Sequence, residues 1–180
     1  MKKFLLVLAL LLTLVGITNA DDNRENSATS IASPTLRVDF PSLNSLIQFF
    51  YVERIDRDPS IEMYLTSQAD ATPRSYYLGK IEPEGGPPNI ESVFTMDVDR
   101  DGRKELLVLA RLEVRHSGLQ TSGNYFRTYV YKANASSTDF SRLKDVEEKI
   151  GEGLDGTREG EKVHYRYRDA ASIRKLLSRR

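Results

Sequence analysis

Hydrophobic and polar residues alternate along three consecutive stretches in the second half of the chain, a pattern typical of β-strands. These stretches are residues 90–96, 106–115 and 125–131. The middle one is apolar on both faces over residues 106–110, and beyond that point only Leu112 and Val114 continue the apolar side. A strand that is buried on both faces lies in the middle of a sheet. The pattern therefore predicts an antiparallel meander of three strands with the middle stretch near the centre of the sheet.

Shorter alternating runs predict further strands, and clusters of glycine, proline and polar residues separate them. The additional strands are residues 36–40, 61–65, 75–81 and 162–168. Residues 116–123 are predicted as a polar connection with two glycines, and residues 151–160, which contain four glycines, as a turn region.

Apolar residues at helical spacing predict two or three helices. The first covers residues 41–51, although the aromatic run at 49–52 is also compatible with a strand. Residues 141–150 are predicted to form a charged helix with one apolar side. Residues 170–178 are predicted to form the last helix, and Asp169 is a natural N-cap for it.

The first 34 residues are predicted to lie outside the folded domain. Residues 1–20 combine Lys2 and Lys3 with an apolar run too short for a membrane span and with small residues at positions 18 and 20. This combination indicates a cleavable secretory signal, with an uncleaved anchor as the alternative. Residues 21–34 are polar and predict a disordered leader. Residues 35–180 are predicted to form a single α+β domain, with an antiparallel meander sheet and two or three flanking helices.

Charge and cysteine content restrict the partners and the compartment. The chain has 26 Lys+Arg, 26 Asp+Glu and no cysteine, and loss of Lys2 and Lys3 with the signal leaves 24 basic against 26 acidic residues. A nearly neutral chain has no field for nucleic acid and no basic face for a membrane. We therefore expect a periplasmic or secreted protein without disulfides, stabilised by its core and by a metal ion.

The most specific motif is the acidic segment 97–105, which reads Asp-Val-Asp-Arg-Asp-Gly-Arg-Lys-Glu. Its four carboxylates are hard oxygen ligands, and Gly102 permits the sharp turn that would direct them at one Ca²⁺. The alternative is a metal-free turn, in which the aspartates accept hydrogen bonds from their own backbone and nearby basic residues neutralise them. An EF-hand does not fit, because its twelfth position would be Val108 where a bidentate glutamate is needed.

The acidic segment resembles the calcium-binding loops of FG-GAP and VCBS-type repeats, in which Asp-x-Asp-x-Asp-Gly-x-x-Asp/Glu-Leu lies between two strands. The resemblance implies Ca²⁺ as a cofactor. The ligands that it implies are the side chains of Asp97, Asp99, Asp101 and Glu105 and the backbone carbonyl of Arg103. It covers the loop and its flanking strands only, and a single copy cannot make the propeller of that family. A structural ion that fixes the end of the hairpin is expected.

A second short motif, Ser122-Gly123-Asn124-Tyr125, resembles the Ser-Gly-x-Tyr loop of periplasmic lysozyme inhibitors, which enters the active-site cleft of the enzyme. The resemblance implies an exposed loop that binds a protein, and the candidate partner-binding residues are His116, Ser122, Gly123 and Tyr125. The alternative is ordinary turn chemistry before an aromatic strand. The tyrosines of residues 125–131 and 165–167 are predicted to form half-buried sheet faces, with a protein interface as the alternative.

The two histidines, His116 and His164, lie far apart in sequence and outside any catalytic motif, so no catalytic residue is predicted. The sequence favours an exported, non-enzymatic domain that binds another protein and carries a structural Ca²⁺ loop, such as an inhibitor or an immunity protein against a secreted toxin. One alternative is a metal-dependent hydrolase, for which His116 is the candidate base. The other is a carbohydrate-binding module that uses the tyrosine faces.

Overall fold

β-Strands dominate the computed structural model of the chain, which describes residues 30–32, 35–54, 57–67 and 72–179. The first five strands are β1 (Ser30–Ala32), β2 (Leu36–Val38), β3 (Ser45–Arg54), β4 (Arg57–Ser67) and β5 (Arg74–Ile81). The next six are β6 (Pro88–Met96), β7 (Glu105–His116), β8 (Thr121–Ala133), β9 (Phe140–Arg142), β10 (Gly153–Arg158) and β11 (Glu161–Val163). The helices are α1 (Lys144–Ile150) and α2 (Ala170–Ser178), and a 3-10 turn covers Ser117–Leu119. The fold is α+β, with strands outweighing helices.

The strands form two antiparallel sheets. In the first sheet the order is β1-β3-β4-β5, and β2 pairs with β3 along a different part of that strand from β1. In the second sheet the order is β11-β10-β8-β7-β6, and β9 also pairs with β8. The predicted meander is confirmed, because β7 lies between β6 and β8 and is antiparallel to both.

The first hydrophobic core lies between the two sheets. The first sheet contributes Ile47, Phe49, Ile61, Met63, Leu65 and Ile81. The second sheet contributes Leu106, Val108, Ala110, Leu112, Tyr129 and Tyr131. The sheets therefore bury one face each against the other, which is the arrangement of a sandwich.

The second hydrophobic core lies on the opposite face of the second sheet, where the two helices pack. Its buried members are Phe94, Leu107, Leu109, Phe126, Val130, Ile150, Ile173 and Leu177. Residues 106–110 of β7 have no exposed surface and belong alternately to the two cores. The prediction that this strand is buried on both faces is therefore confirmed, and the layers run sheet, sheet, helices.

The helix predicted for residues 41–51 is wrong. Residues 41–44 form a bend and turn, and β3 begins at Ser45. In β3, Ile47 and Phe49 face the core between the sheets, and Phe50 points to the other side. A strand with apolar residues on both faces imitates helical spacing over a short window, and pairing with β4 along the strand decides in favour of β structure.

The two helices near the C-terminus are confirmed. Helix α1 begins at Lys144, slightly later than predicted, and α2 has the predicted bounds. The predicted cap of α2 is also confirmed, because the Asp169 carboxylate accepts the Ser172 backbone N–H at 2.7 Å. A side-chain acceptor at this position satisfies one of the free N–H groups of the first turn.

Two predictions near the C-terminus need correction. The region 151–160, predicted as a turn, contains strand β10, which pairs with β8 and β11. The strand predicted for residues 162–168 ends at Val163. The residues that follow instead place Tyr165 and Tyr167 against the helix-side core, and the Tyr165 ring stacks on Phe126 at 6.1 Å.

The predicted signal at residues 1–20 lies outside the described residues, as does most of the predicted leader. The exception is Ser30–Ala32, which pairs with β3 as strand β1 and so differs from the leader without regular structure that the sequence predicts. None of the helices in the described ranges has the length and apolar character that crossing a membrane requires.

The tyrosine stripe of β8 faces the core between the sheets, as predicted. Tyr129 and Tyr131 are buried there, and Tyr125 packs against the same cluster partly buried. Burial raises the pKa of the Tyr129 hydroxyl. These side chains are therefore part of the sandwich, and this face is not available as a protein interface.

Candidate metal centre

The acidic segment is the connection between β6, the last strand in the order of the second sheet, and β7. Met96 and Glu105 are the paired residues at the end of this hairpin. The loop curls through two positive φ angles, 63° at Arg100 and 87° at Gly102. A glycine adopts such a conformation without steric cost, so Gly102 has the role that the sequence predicts.

Three of the four predicted carboxylates converge. Asp97, Asp99 and Glu105 each offer one oxygen atom, and these oxygens all lie within 4.8 Å of one another. This is the only group of three or more His, Cys, Asp or Glu side chains with metal-ligand spacing in the part of the chain that the structure describes. Convergence of this kind places like charges together, and a bound cation would offset their repulsion.

Glu105 is the buried member of the group, with no exposed surface. Its Oε2 atom accepts the Val98 backbone N–H at 2.8 Å, which closes the loop across its base. Its Oε1 atom is buried and has no hydrogen-bond partner among the described residues. Burial raises the pKa of the Glu105 carboxyl, because a low-dielectric site disfavours the charged form.

Asp97 has a similar division between its two oxygens. Its Oδ2 atom accepts the Gly102 backbone N–H at 3.1 Å. Its Oδ1 atom is buried, and no described residue donates to it. The site thus contains two buried carboxylate oxygens without donors, and an unsatisfied buried charged group is costly unless something compensates it.

Asp101 does not join this group. Its Oδ1 atom accepts the Arg103 backbone N–H at 2.8 Å, and its Oδ2 atom contacts the Arg103 guanidinium at 3.0 Å. The same Oδ2 atom accepts a hydrogen bond from Lys132 Nζ at 2.7 Å. The Lys132 ammonium and the Arg103 contacts hold the pKa of the Asp101 carboxyl well below its usual range. The ligand role predicted for the Arg103 carbonyl stays a prediction.

Lys132 is the residue that the sequence analysis missed. Its ammonium contacts Asp99 Oδ2 as well as Asp101 Oδ2, and these contacts raise the pKa of Lys132. It reaches the loop because Leu106 of β7 pairs with Tyr131 of β8, so the next residue along β8 stands beside Glu105. Only the register between these strands, and no local motif, could have indicated this contact.

The candidate partner-binding residues lie at the other end of β7. Strand β7 has 12 residues, so His116 is separated from Glu105 by roughly 36 Å at the usual rise per residue. A base at that distance cannot act on a ligand of the acidic loop. His116 therefore cannot be the catalytic base of the hydrolase alternative, and it was the one candidate base in the sequence.

Ser122 and Gly123 lie inside strand β8 and not in a protruding loop. They pair with Arg115 and Val114 of β7 on one side and with β10 on the other. Tyr125 follows in the same strand, with the Arg127 guanidinium 5.6 Å from its ring centre. The connection predicted for residues 116–123 is reduced to residues 117–120, which comprise the 3-10 turn Ser117–Leu119 and one further turn residue, and Leu119 is 66% exposed. The structure thus differs from the exposed loop that the resemblance to lysozyme inhibitors implies.

Comparisons with known protein families, with curated proteins and with solved structures found no match to this chain.

Proposed function

We propose that this chain is an exported, non-enzymatic protein that binds Ca²⁺ as a structural ion in its 97–105 loop and binds another protein through a different surface. The observation that carries the calcium proposal is the pair of buried oxygens, Asp97 Oδ1 and Glu105 Oε1, that lack donors among the described residues. A hard cation that prefers oxygen ligands would compensate both at once.

The donor set fits Ca²⁺ better than a transition metal. The converging atoms are all carboxylate oxygens, without sulfur or imidazole, and Ca²⁺ takes six to eight oxygen ligands in flexible geometry. The resemblance of the loop to FG-GAP and VCBS-type repeats points the same way. Because Glu105 is the first residue of β7, an ion held by it would fix the end of the β6–β7 hairpin, which is a structural role.

The test is calorimetric titration with Ca²⁺, together with melting in Ca²⁺ and in chelator, for the wild-type chain, Asp97→Asn and Glu105→Gln. Asp145→Asn is the matched control, because Asp145 is an exposed acid in α1 outside the loop. A Ca²⁺ concentration a hundredfold above Kd adds about 2.7 kcal/mol to the free energy of unfolding, which is roughly 5–10 °C in Tm. We expect this rise in the wild type and the control only. Absence of heat and of any Tm shift in the wild type would refute the calcium proposal.

For the protein partner, the proposed contact is the 3-10 turn between β7 and β8 with its flanking residues. Leu119 is a large apolar side chain exposed at the tip, beside His116 and Ser122, which are also exposed. Protein interfaces combine an apolar centre with a polar rim, and Leu119 with its polar neighbours has this pattern on a small scale.

A lysozyme assay tests the hypothesis that this turn binds and inhibits lysozyme. The chain, Leu119→Asp and Ser122→Arg are each mixed with lysozyme, and residual cell-wall lysis is measured. Inhibition by the wild type alone would assign an inhibitor function to this turn. Full lysis in every mixture would remove lysozyme as the partner.

The second candidate function is carbohydrate binding, which the outer face of the first sheet favours. Three rings form a row there: the centroids of Phe50 and Tyr64 are 5.4 Å apart, and those of Tyr64 and Tyr77 are 5.3 Å apart. None of the three belongs to either core, and Tyr77 is 54% exposed. Gln48 and Glu62 lie beside them and supply hydrogen-bonding groups. Aromatic faces bordered by polar groups suit ligands that are partly apolar and partly hydroxylated.

Affinity electrophoresis in gels that contain soluble polysaccharides tests this candidate. We expect retardation of the wild type and its loss in Tyr77→Ala. Leu43→Ala is the control, because Leu43 is 73% exposed in the turn that precedes β3. Equal mobility of all three chains with every polysaccharide would exclude the second candidate.

A further inference from the structure

We propose that Lys132 is an internal competitor for the cation site, so that its ammonium and Ca²⁺ share the same carboxylates and the lysine sets the calcium affinity of the loop. This inference rests on the proposed calcium function and adds a regulatory element to it. The element comes from a strand outside the loop.

The contacts of Lys132 carry the inference. Its Nζ atom contacts Asp101 Oδ2 at 2.7 Å and also contacts Asp99 Oδ2. The lysine side chain is 24% exposed, and those of Asp99 and Asp101 are 32% and 29% exposed. Charge-assisted hydrogen bonds of this kind are about twice as strong as neutral ones. The ammonium is therefore a specific occupant of the outer half of the loop and not a solvated surface charge.

The loop's own basic residues do not perform this function. Arg103 contacts only Asp101 among the four carboxylates, and Lys104 makes no ion pair within the described residues. Lys132 instead bridges two aspartates that stand at alternate positions of the loop. The register between β7 and β8 fixes it there, because Tyr131 is the partner of Leu106.

The four carboxylates are consequently divided into two pairs. Asp97 and Glu105 each have a buried oxygen without a donor, and Asp99 and Asp101 both form ion pairs with Lys132. Asp99 is common to both arrangements, because one of its oxygens also converges with Asp97 and Glu105. A divalent ion that engages Asp99 and Asp101 must displace the ammonium or bind beside it against charge repulsion.

The structure provides a place for a displaced ammonium. Lys132 lines a cleft of about 370 Å³ next to the acidic loop, and Asp39 and Ser42, from the segment that precedes β3, line the same cleft. Asp39 is exposed, and its Oδ1 atom accepts only the Asn44 backbone N–H at 3.3 Å among the described groups. A second carboxylate outside the acidic loop therefore lines the same cleft as the lysine.

The experiment is Ca²⁺ titration by calorimetry of the full chain as wild type, Lys132→Met and Lys104→Met, with melting of each in chelator. Lys104→Met is the matched control, because it removes the same charge from the same cleft without removing an ion pair. We expect Lys132→Met to bind Ca²⁺ roughly 5- to 20-fold more tightly than the wild type, in line with the loss of two competing ion pairs. Lys104→Met should remain within about twofold of the wild type, since a single screened surface charge has little effect.

The melting temperatures in chelator measure how much Lys132 stabilises the fold when no calcium is bound. We expect Lys132→Met to melt at a lower temperature than Lys104→Met, because Asp99 loses its counter-charge and Asp101 keeps only that of Arg103. Equal Kd values for wild type and Lys132→Met would overturn the inference while leaving the calcium proposal intact. A similar decrease of Kd in Lys104→Met would overturn it too, because net charge alone would then explain the effect. No binding by any chain would refute the calcium proposal and this inference together.

Discussion

Gly123 of β8 and Gly156 of β10 lie opposite each other, and neither position has room for a side chain. A Cβ atom added to Gly123 would lie 2.5 Å from the Asp155 carbonyl oxygen and 2.7 Å from the Cα of Gly156. The φ angle of Gly123 is 143°, which also favours glycine. The glycine of the Ser-Gly-x-Tyr motif is therefore needed for the close approach of two strands.

Replacement of Gly123 should accordingly reduce stability. We expect Gly123→Ala to lower the free energy of unfolding by about 2–4 kcal/mol, because the methyl group meets backbone atoms of β10 and the φ angle is strained. The measurement is thermal melting, with a decrease of roughly 4–16 °C. Gly118→Ala is the control, because a Cβ there meets nothing within 4 Å. Equal melting temperatures of the two variants would contradict the tight pairing of β8 with β10.

Glu105→Gln should separate the cost of a buried charge from the benefit of a bound ion. The amide oxygen can still accept the Val98 N–H, but the uncompensated charge is lost. In chelator we expect the variant to melt about 2–5 °C above the wild type, because an unpaired buried charge destabilises the fold. In saturating Ca²⁺ the order should reverse. A variant that is less stable in both conditions would show that the carboxylate is compensated within the protein itself.

The Tyr165 hydroxyl connects the C-terminal stretch to the end of α1. It donates to the carbonyl oxygen of Gly151 at 2.7 Å and lies 3.3 Å from that of Ile150. Tyr165→Phe keeps the ring stacked on Phe126 but removes these bonds, so we expect a loss of about 1 kcal/mol, or about 2–4 °C in Tm.

Tyr167→Phe is the control for this prediction. The Tyr167 ring contacts Tyr165 edge to face at 5.9 Å, and its hydroxyl has no hydrogen bond among the described residues. We expect its melting temperature to stay within about 1 °C of the wild type, as for most substitutions away from such bonds. A comparable loss in both variants would mean that the rings, and not the Tyr165 hydroxyl, carry the stabilisation.

Asp155 should make stability depend on pH in the acid range. His164 Nδ1 lies 3.0 Å from its Oδ1 atom, and Arg168 contacts its Oδ2 atom. These partners hold the pKa of the Asp155 carboxyl below its ordinary value of 3.8. A depressed folded-state pKa gives stability that is present above pH 3.8 and is lost as the pH falls through the folded value.

Asp155→Asn tests this linkage in urea unfolding curves between pH 2 and 7. We expect the variant to be less stable than the wild type at pH 5–7, and we expect the difference to shrink below about pH 4 as the wild-type carboxyl takes up its proton. A difference that is the same at every pH would show that packing of the Asp155 side chain, and not its charge, is responsible.

The β6–β7 hairpin and the last helix were predictable because their signals are local. The apolar run of residues 106–110 specifies a strand buried on both faces, and Asp169 specifies the start of α2. The acidic loop was equally readable, since alternating aspartates before Gly102 already define its curl. These features depend on neighbours in sequence, which is the range over which periodicity and capping are informative.

The errors arose where distant contacts decide the structure. Residues 45–54 carry apolar side chains on both faces, so only pairing with β2 and β4 distinguishes strand from helix. The glycine at position 156 predicts a turn, and only its pairing with Gly123 shows that it lies in a strand. Lys132 enters the acidic loop through the register of β8 on β7, and the division of the carboxylates into two pairs follows from that contact. A single sequence does not show which residues lie opposite each other.

Because β7 contributes to both cores, an ion in the acidic loop at its start would affect how often the whole fold opens. Amide hydrogens of a strand enclosed by neighbours on both sides and by packed layers above and below exchange with solvent only when the whole fold opens. Glu105 is the first residue of that strand. A cation bound to its carboxylate would therefore slow global opening and lengthen the lifetime of the folded chain. An ion bound to a peripheral loop would reduce only the local motion of that loop.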